Sequence, residues 1–193
     1  MGYSRDYYKY HQEWHEKWEP SCSKEFFKLF HVDSVIDLGC GIGSFLLGFY
    51  QCGLRDLLGL EINHDLAEEF IDKSVKPYII KMDITDDLQL GRRFDCVWSV
   101  EVAEHIHPDK TMQFIYNLFA LSKRYVLLTA AGPGQRGVEH RNCRPREFWI
   151  EQIKAVGIEY MPDIENNIRR LWKDANVPEY ILNNLMFFEK LED

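Results

Sequence analysis

A glycine turn directly after a buried strand constrains this chain more than any other feature of its sequence. Residues 35–38 form a Val-Ile-Asp-Leu run typical of a strand buried on both faces, and Gly39, Gly41 and Gly43 follow it. Glycine adopts positive φ without steric cost, so such a turn lets the backbone approach a ligand closely. The spacing differs from the Gly-x-Gly-x-x-Gly of dinucleotide-binding folds, and no Gly-Lys-Ser/Thr follows as a phosphate loop requires. The turn predicts an α/β sheet with a ligand at the carboxyl end of its first strand.

Acidic side chains end the next two predicted strands. The second strand leads into Glu61, and the third leads into Asp83 with Ile84 beside it. An acid at the tip of the second strand is placed to accept hydrogen bonds from a ribose diol. The pair that follows the third strand suits an adenine, because a carboxylate can accept from the exocyclic amine and an aliphatic side chain can cover the ring. Together with Asp37, these acids indicate an adenosine-bearing cofactor without a pyrophosphate.

In combination these motifs resemble the class I S-adenosylmethionine (SAM)-dependent methyltransferases over about residues 30 to 160. The resemblance implies an α/β, Rossmann-like fold with a seven-stranded, mostly parallel sheet, here with N-terminal helices and a helical insertion before the last strand. It also implies that SAM is the cofactor. The expected cofactor-binding residues are Asp37, Gly39, Cys40, Gly41, Gly43, Glu61, Ile62, Asp83, Ile84 and Ser99.

The length of 193 residues fits one domain. We expect a single methyltransferase domain with an N-terminal helical lid (1–30), a cofactor-binding core (31–131) and a substrate-side loop, helix and closing strands (132–193). The predicted strands lie at 34–38, 56–60, 78–82, 94–100, 125–129, 157–161 and 184–190, the last two as an antiparallel hairpin. The predicted helices lie at 7–18 (ended by Pro20), 23–30, 43–52, 64–74, 108–122, from Pro145 onward and within 163–182.

The composition favours a soluble, cytoplasmic enzyme. A net charge of −8 argues against broad electrostatic binding to nucleic acid. The five cysteines are odd in number and lack a Cys-x-x-Cys pair, so we expect reduced thiols, and no apolar run is long enough to span a membrane. Cations nevertheless concentrate between Lys123 and Arg146. They are either solvated charges of a loop or a binding site for a phosphate or nucleotide-sugar.

The loop after the fourth strand carries Glu101, Glu104 and His105 close together in sequence. It lacks the Asn/Asp-Pro-Pro-Tyr/Phe pattern with which amine-methylating members of the resembled family hold a planar amine. An adenine, cytosine or glutamine-amide acceptor is therefore disfavoured, and a hydroxyl acceptor is favoured.

Three interpretations of this loop are open. In the first, Glu101, Glu104, His105 and His140 hold a divalent metal (Mg²⁺, Mn²⁺ or Zn²⁺) that lowers the pKa of the acceptor hydroxyl. This pattern resembles the polyprenyl-catechol O-methyltransferases and the small-RNA 3′-end 2′-O-methyltransferases. In the second, a histidine takes the hydroxyl proton without a metal, and the candidate catalytic residues are His105, His140 and Glu101. In the third, the loop is purely structural.

Segment 138–149 resembles small stand-alone O-methyltransferases of glycan and secondary-metabolite gene clusters. We expect His140 and Asn142 to face the acceptor, and Phe148 and Trp149 to pack a helix onto the sheet. The N-terminal aromatic side chains are expected either to cover the cofactor or to pack on the sheet: Tyr3, Tyr7, Tyr8, Tyr10, Trp14 and Trp18. Four other histidines are expected at the surface or as helix caps: His11, His15, His31 and His64.

The sequence therefore predicts a SAM-dependent O-methyltransferase that acts on a hydroxyl of a sugar, glycan or similar small polyol. The alternatives are a metal-dependent RNA 2′-O-methyltransferase, a catechol-type O-methyltransferase and a catalytically silent, cofactor-binding partner subunit. The expected partner is a small-molecule or glycan acceptor, without membrane insertion. Nucleic acid is disfavoured, and the oligomeric state stays open.

Overall fold

The computed structural model describes residues 3–15 and 17–191, and these residues form one seven-stranded sheet. Its strands are β1 (Ser34–Leu38), β2 (Asp56–Glu61), β3 (Ile79–Lys81), β4 (Phe94–Ser99), β5 (Ser122–Thr129), β6 (Glu159–Tyr160) and β7 (Leu185–Glu189). The order is β3-β2-β1-β4-β5-β7-β6, in which the first five strands are parallel and β7 runs antiparallel to both neighbours. The predicted Rossmann-like fold, including its antiparallel closing pair, is confirmed.

The helices flank this sheet, and the boundary between the first two differs from the prediction. They are α1 (Arg5–His15), α2 (Glu19–Leu29), α3 (Ser44–Gln51), α4 (His64–Ala67), α5 (Thr111–Leu121), α6 (Arg146–Ala155), α7 (Pro162–Asp174) and α8 (Glu179–Asn184). Pro20 lies in the first turn of α2, where its missing N–H is not needed, and so does not end the preceding helix. The predicted first helix also includes residue 16, which lies outside the described residues.

The helix predicted at 64–74 is wrong beyond its first turns. After α4 and a short 3₁₀ turn at Glu68–Phe70, the chain turns extended at Ile71. The Asp72 carboxylate accepts hydrogen bonds from the backbone N–H (2.8 Å) and the hydroxyl (2.6 Å) of Ser74. Such a local side-chain turn competes with helical hydrogen bonding and ends the helix early.

Aromatic packing joins the helical insertion to the core. The Trp98 ring on β4 lies 5.2 Å from Phe26 on α2 and 5.8 Å from Trp172 on α7, measured between ring centroids. The indole N–H of Trp172 also donates to the carbonyl of Cys22 (3.2 Å). Helix α7 therefore packs on α2 and the sheet as an integral part of one layer. Helices α5 and α6 cover the other face with the buried side chains Phe114, Ile115, Leu118, Trp149 and Ile153.

None of the helices in the described part of the chain combines the length and apolar character needed to cross a bilayer. All five cysteines are free in the structure.

Helices α2 and α3 cross at Gly48 with backbone against backbone. A Cβ at this position would lie 2.4 Å from the carbonyl oxygen of Pro20 and 2.8 Å from Cβ of Ser23. The close approach of these two helices therefore requires a glycine.

We expect Gly48→Ala to lower the free energy of unfolding, although alanine is favoured over glycine in a helix by about 1 kcal/mol. The reason is that overpacking against fixed backbone costs about 1–3 kcal/mol. Urea denaturation measures the difference, with the exposed Gln51→Ala in the same helix as the control. A Gly48→Ala variant more stable than wild type would refute the close helix contact.

Candidate active site

A cavity of about 710 Å³ opens at the carboxyl ends of β1, β2 and β4. Such a volume is typical of a small-molecule site. Most of the predicted cofactor-binding residues line it: Asp37, Gly39, Cys40, Gly41, Glu61, Ile62, Asp83 and Ile84. The residues predicted for chemistry line the same cavity: Glu101, Glu104, His105 and His140. The fold thus brings two groups of residues, separated in sequence, to one space.

The glycine turn forms one wall of the cavity. Gly39 has a φ of 80°, and a Cβ there would lie 2.7 Å from the side chain of Val102. Gly41 has a φ of 55°, and no atom lies within 4 Å of the position that its Cβ would occupy. The first glycine therefore allows close packing, and the second leaves bare backbone facing open space.

Glu61 lies at the tip of β2 and holds the turn in place. Its carboxylate accepts hydrogen bonds from the backbone N–H of Gly41 (2.9 Å) and of Asn63 (2.8 Å). The hydroxyl of Tyr8 on α1 donates to the same carboxylate (3.3 Å). This acid therefore connects the glycine turn, the end of β2 and the N-terminal helix.

Gly43 and Ser99 lie behind the cavity rather than among its described lining residues. Gly43 has a φ of 76°, and a Cβ there would lie 2.5 Å from Ile79, so it allows α3 to begin close to β3. The Ser99 hydroxyl donates to the carbonyl of Leu38 (2.9 Å) and ties the ends of β1 and β4 together. Both residues support the turn from behind.

Asp37 brings a buried carboxylate into the cavity wall. Its side chain is 2% exposed, and within the described residues its Oδ2 atom has no hydrogen-bond partner. Burial raises the pKa of Asp37 well above its usual range, and the negative charges of Glu19 and Glu61 add to the rise. A cationic ligand group would offset this cost.

Asp83, the acid that follows β3, is held by a local turn. One oxygen of Asp83 accepts from both the backbone N–H and the hydroxyl of Thr85, each at 2.8 Å. Ile84 follows it in the cavity wall. The carboxylate and the aliphatic side chain that the sequence assigns to an adenine thus lie side by side.

Glu104, His105 and His140 form the acid–histidine cluster. One possible ligand atom from each lies within 4.8 Å of the others, and Glu101 falls outside this set. Glu104 is fully buried, and neither carboxylate oxygen has a partner among the described residues. Burial and the negative charge of Glu101 raise the pKa of Glu104 well above its usual range. Burial and the nearby His140 lower the pKa of His105 to about 4, so its imidazole is neutral at pH 7.

Glu101 connects the loop after β4 to other parts of the fold. Its φ of 54° places a non-glycine residue in the left-handed region, which other contacts must stabilise. Its backbone N–H donates to the hydroxyl of Thr129 (2.8 Å), and its carboxylate accepts from the amides of Asn184 (3.0 Å) and Gln135 (3.3 Å). Burial raises the pKa of Glu101.

The loop after β5 orients His140 and buries Asn142. The Nδ1 atom of His140 lies 3.0 Å from the carbonyl oxygen of Gln135, which can only accept a hydrogen bond. Nδ1 therefore carries the proton, and Nε2 keeps a lone pair. The amide of Asn142 donates to the Thr111 hydroxyl (2.9 Å) and is 2% exposed, so the expectation that it faces the acceptor is wrong.

Several lining residues were not assigned to the site from the sequence. His11 and Glu19, from α1 and α2, line the cavity, and their side chains approach within 3.4 Å, so the expectation of a surface or capping role for His11 is wrong. Tyr180 of α8 also lines it. Among the N-terminal aromatic residues, Tyr3, Tyr7, Tyr8 and Trp18 line the cavity, whereas Tyr10 and Trp14 are exposed. The side chain of His15 lies outside the described residues.

Most of the cations between Lys123 and Arg146 form ion pairs within the fold. Lys123 pairs with Asp95, Arg124 with Glu189, and Arg146 with the buried Glu165. Arg136 and Arg141 line the cavity, and Arg141 also pairs with Glu139. The cations of this stretch that line the cavity are therefore Arg136 and Arg141.

Known proteins share this fold. The model of a methyltransferase-domain family matches residues 10–177. The sugar N-methyltransferase KedS8 from Streptoalloteichus sp. ATCC 53650 is 14% identical with a TM-score of 0.71, covering 100% of this chain and 94% of that one. A SAM-dependent methyltransferase from Archaeoglobus fulgidus is 17% identical (TM-score 0.60; 86% and 92% covered). The glycopeptide N-methyltransferase MtfA, complexed with S-adenosyl-L-homocysteine (SAH), is 11% identical (TM-score 0.63; 90% and 87% covered). No curated protein matches the sequence.

The family match covers most of the chain and agrees with the fold. The chain belongs to the methyltransferase-domain family and is a class I SAM-dependent methyltransferase.

We expect Asp37→Asn to stabilise the ligand-free protein and to weaken SAH binding. Buried Asp37 keeps its proton to a higher pH than an unfolded aspartate, whose pKa is about 3.9. The free energy of unfolding of the wild type therefore falls as the pH rises from about 4 toward the raised pKa, and the variant lacks this decrease.

Urea denaturation between pH 4 and pH 8 should show a stability difference that grows with pH in favour of Asp37→Asn. The exposed Asp33→Asn is the matched control. A difference that stays constant over this range would contradict the raised pKa of Asp37.

Proposed function

We propose that this methyltransferase transfers the methyl group of SAM to a hydroxyl of a sugar, glycan or similar small polyol. The observation that carries the proposal is the oriented imidazole of His140 in the cavity that also holds the strand-end acids. Because Nδ1 keeps its proton and donates it in a hydrogen bond to the Gln135 carbonyl, the lone pair of Nε2 is available to accept another proton. A base of this kind suits a hydroxyl, which must lose its proton as it attacks.

We assign the adenosine end of SAM to Glu61, Asp83 and Ile84, and the methionine end to the glycine turn. The acceptor then approaches from the side of Glu104, His105 and His140. Its oxygen attacks the methyl carbon while the carbon–sulfur bond breaks, and the bonding electrons pass to sulfur to give SAH. The hydroxyl proton passes to Nε2 of His140, and the Gln135 carbonyl, which accepts from Nδ1–H, stabilises the resulting imidazolium.

His140 fits the role of base better than His105 does. Burial lowers the pKa of His105 to about 4, which makes it a weak proton acceptor at pH 7. We therefore assign His105 to the wall of the site as a neutral neighbour, and Glu101 to positioning through its contacts with Thr129, Asn184 and Gln135.

Features of the cavity support a sugar acceptor. Tyr3, Tyr7 and Tyr180 offer aromatic surface, on which the apolar faces of sugar rings pack. Arg136 and Arg141 offer positive charge for a phosphate or nucleotide group. The similar structures include a sugar and a glycopeptide methyltransferase, although both act on nitrogen.

A metal-dependent enzyme is the second candidate, because the acid–histidine cluster fits a divalent cation. Its donors are one carboxylate and two imidazoles, which suit Zn²⁺ or Mn²⁺, and both Glu104 oxygens are buried without a partner among the described residues. A cation bound by Glu104, His105 and His140 would lower the pKa of the acceptor hydroxyl. This candidate favours an RNA 2′-hydroxyl or a catechol as the acceptor.

Methyl transfer from labelled SAM to nucleotide-sugars, glycans, amino sugars, catechols and short RNAs, with and without EDTA, tests the proposal. We expect label on a sugar hydroxyl, insensitive to EDTA, and a rate about 10²- to 10⁴-fold lower in His140→Gln. The exposed His31→Gln serves as control. EDTA-sensitive transfer to RNA or a catechol would establish the second candidate, and transfer to an amine would overturn the hydroxyl acceptor. No transfer despite SAH binding would indicate a silent subunit.

We expect Gly137→Ala to reduce the rate of methyl transfer by displacing the base. A Cβ at Gly137 would lie 2.0 Å from Nε2 of His140, so the ring must leave its position. Gly132→Ala in the same loop is the matched control, since no atom lies within 4 Å of its Cβ position. The Kd for SAH should stay unchanged in both variants. An unchanged rate in Gly137→Ala would refute the role of His140 as oriented here.

A further inference from the structure

A carboxylate from outside the sheet lies in the wall of the cavity. Glu19 is the first residue of α2, is 4% exposed and lines the cavity together with Asp37. Nothing in the methyl-transfer step proposed above requires an acid at this place. The Glu19 carboxylate approaches the His11 imidazole at 3.4 Å, and both residues line the cavity.

Glu19 and Asp37 act on each other electrostatically. After burial, the negative charge of Glu19 is the largest cause of the raised pKa of Asp37. The Oδ2 atom of Asp37 has no hydrogen-bond partner in the described part of the chain, and Asp37 is one of the residues that line the cavity. Two buried carboxylates with an unused acceptor fit a ligand that brings a positive charge and several N–H donors.

SAM carries such a group at one end. Its methionine part has an α-ammonium with three N–H donors, and the glycine turn with its preceding acid is the place assigned to this part. Asp37 is already expected at this part from the family resemblance. We propose that Glu19 joins Asp37 in binding the α-ammonium of SAM, so that helix α2 contributes directly to the cofactor site. This inference rests on the proposed function, because it takes the cavity as the SAM site.

The arrangement would link cofactor binding to the N-terminal helices. Glu19 begins α2, His11 of α1 approaches it at 3.4 Å, and Tyr8 of α1 contacts Glu61. A bound ammonium would therefore interact with a part of the chain that also covers the cavity. The cofactor and the N-terminal helices would stabilise each other.

Calorimetric titration with two ligands tests the proposal. The first is SAH, and the second is its analogue in which hydrogen replaces the α-amine, with the carboxylate retained. In Glu19→Gln we expect the Kd for SAH to rise about 10- to 100-fold, as for loss of a charged hydrogen bond, and the Kd for the analogue to stay within about 2-fold. Glu25→Gln on the same helix is the matched control, because Glu25 pairs with Lys28 (2.6 Å) away from the cavity.

Each other outcome has a definite meaning. Equal losses for both ligands, or no loss for either, would refute the contact between Glu19 and the amine. An unchanged Kd for SAH with a raised KM for an amino-sugar acceptor would move Glu19 to the acceptor and also overturn the proposal. Failure of the wild type to bind either ligand would instead refute the cofactor site itself.

A second variant covers the case in which Glu19→Gln does not fold. Glu19→Asp keeps the negative charge but shortens the side chain by one methylene. We expect it to weaken SAH binding selectively and by less than Glu19→Gln. Equal affinity of Glu19→Asp and wild type for SAH would contradict a direct contact.

Discussion

The site depends on the hydrogen bonds that the Glu61 carboxylate accepts. It accepts from the backbone of Gly41 and Asn63 and from the Tyr8 hydroxyl, and so joins the glycine turn, the end of β2 and the N-terminal helix. A carboxylate has about four acceptor positions. It can therefore keep the glycine turn in place and still accept from a ribose, so one side chain serves both the fold and the proposed cofactor contact.

The cavity wall near this acid also contains buried acidic side chains. Asp37 and Glu104 both have raised pKa values because they are buried and lie near other acids. In the ligand-free protein such groups reduce stability, and natural proteins retain such costs mainly at functional sites. SAM brings a sulfonium and an ammonium, whose positive charges would offset the cost of these buried acids. The electrostatics and the family assignment thus agree through independent observations.

The sequence predicted the parts of the site that are encoded locally. A buried strand followed by glycines specifies its own turn, and strand-end acids meet because parallel strands end at one edge. His140 met Glu104 for the same reason, since both follow neighbouring strands. Glu19 and His11 could not be found in this way, because their place depends on how α1 and α2 pack over the sheet. Asn142 was misassigned because an irregular loop has no periodicity to show which side chains turn inward.

The structure of the protein with SAH bound tests the central claim most directly. The account predicts a ribose hydroxyl within about 3 Å of the Glu61 carboxylate. It also predicts that the sulfur faces the space between Gly39 and His140, with room there for an acceptor hydroxyl. SAH bound with its sulfur turned away from Glu104 and His140, or bound outside this cavity, would contradict the account.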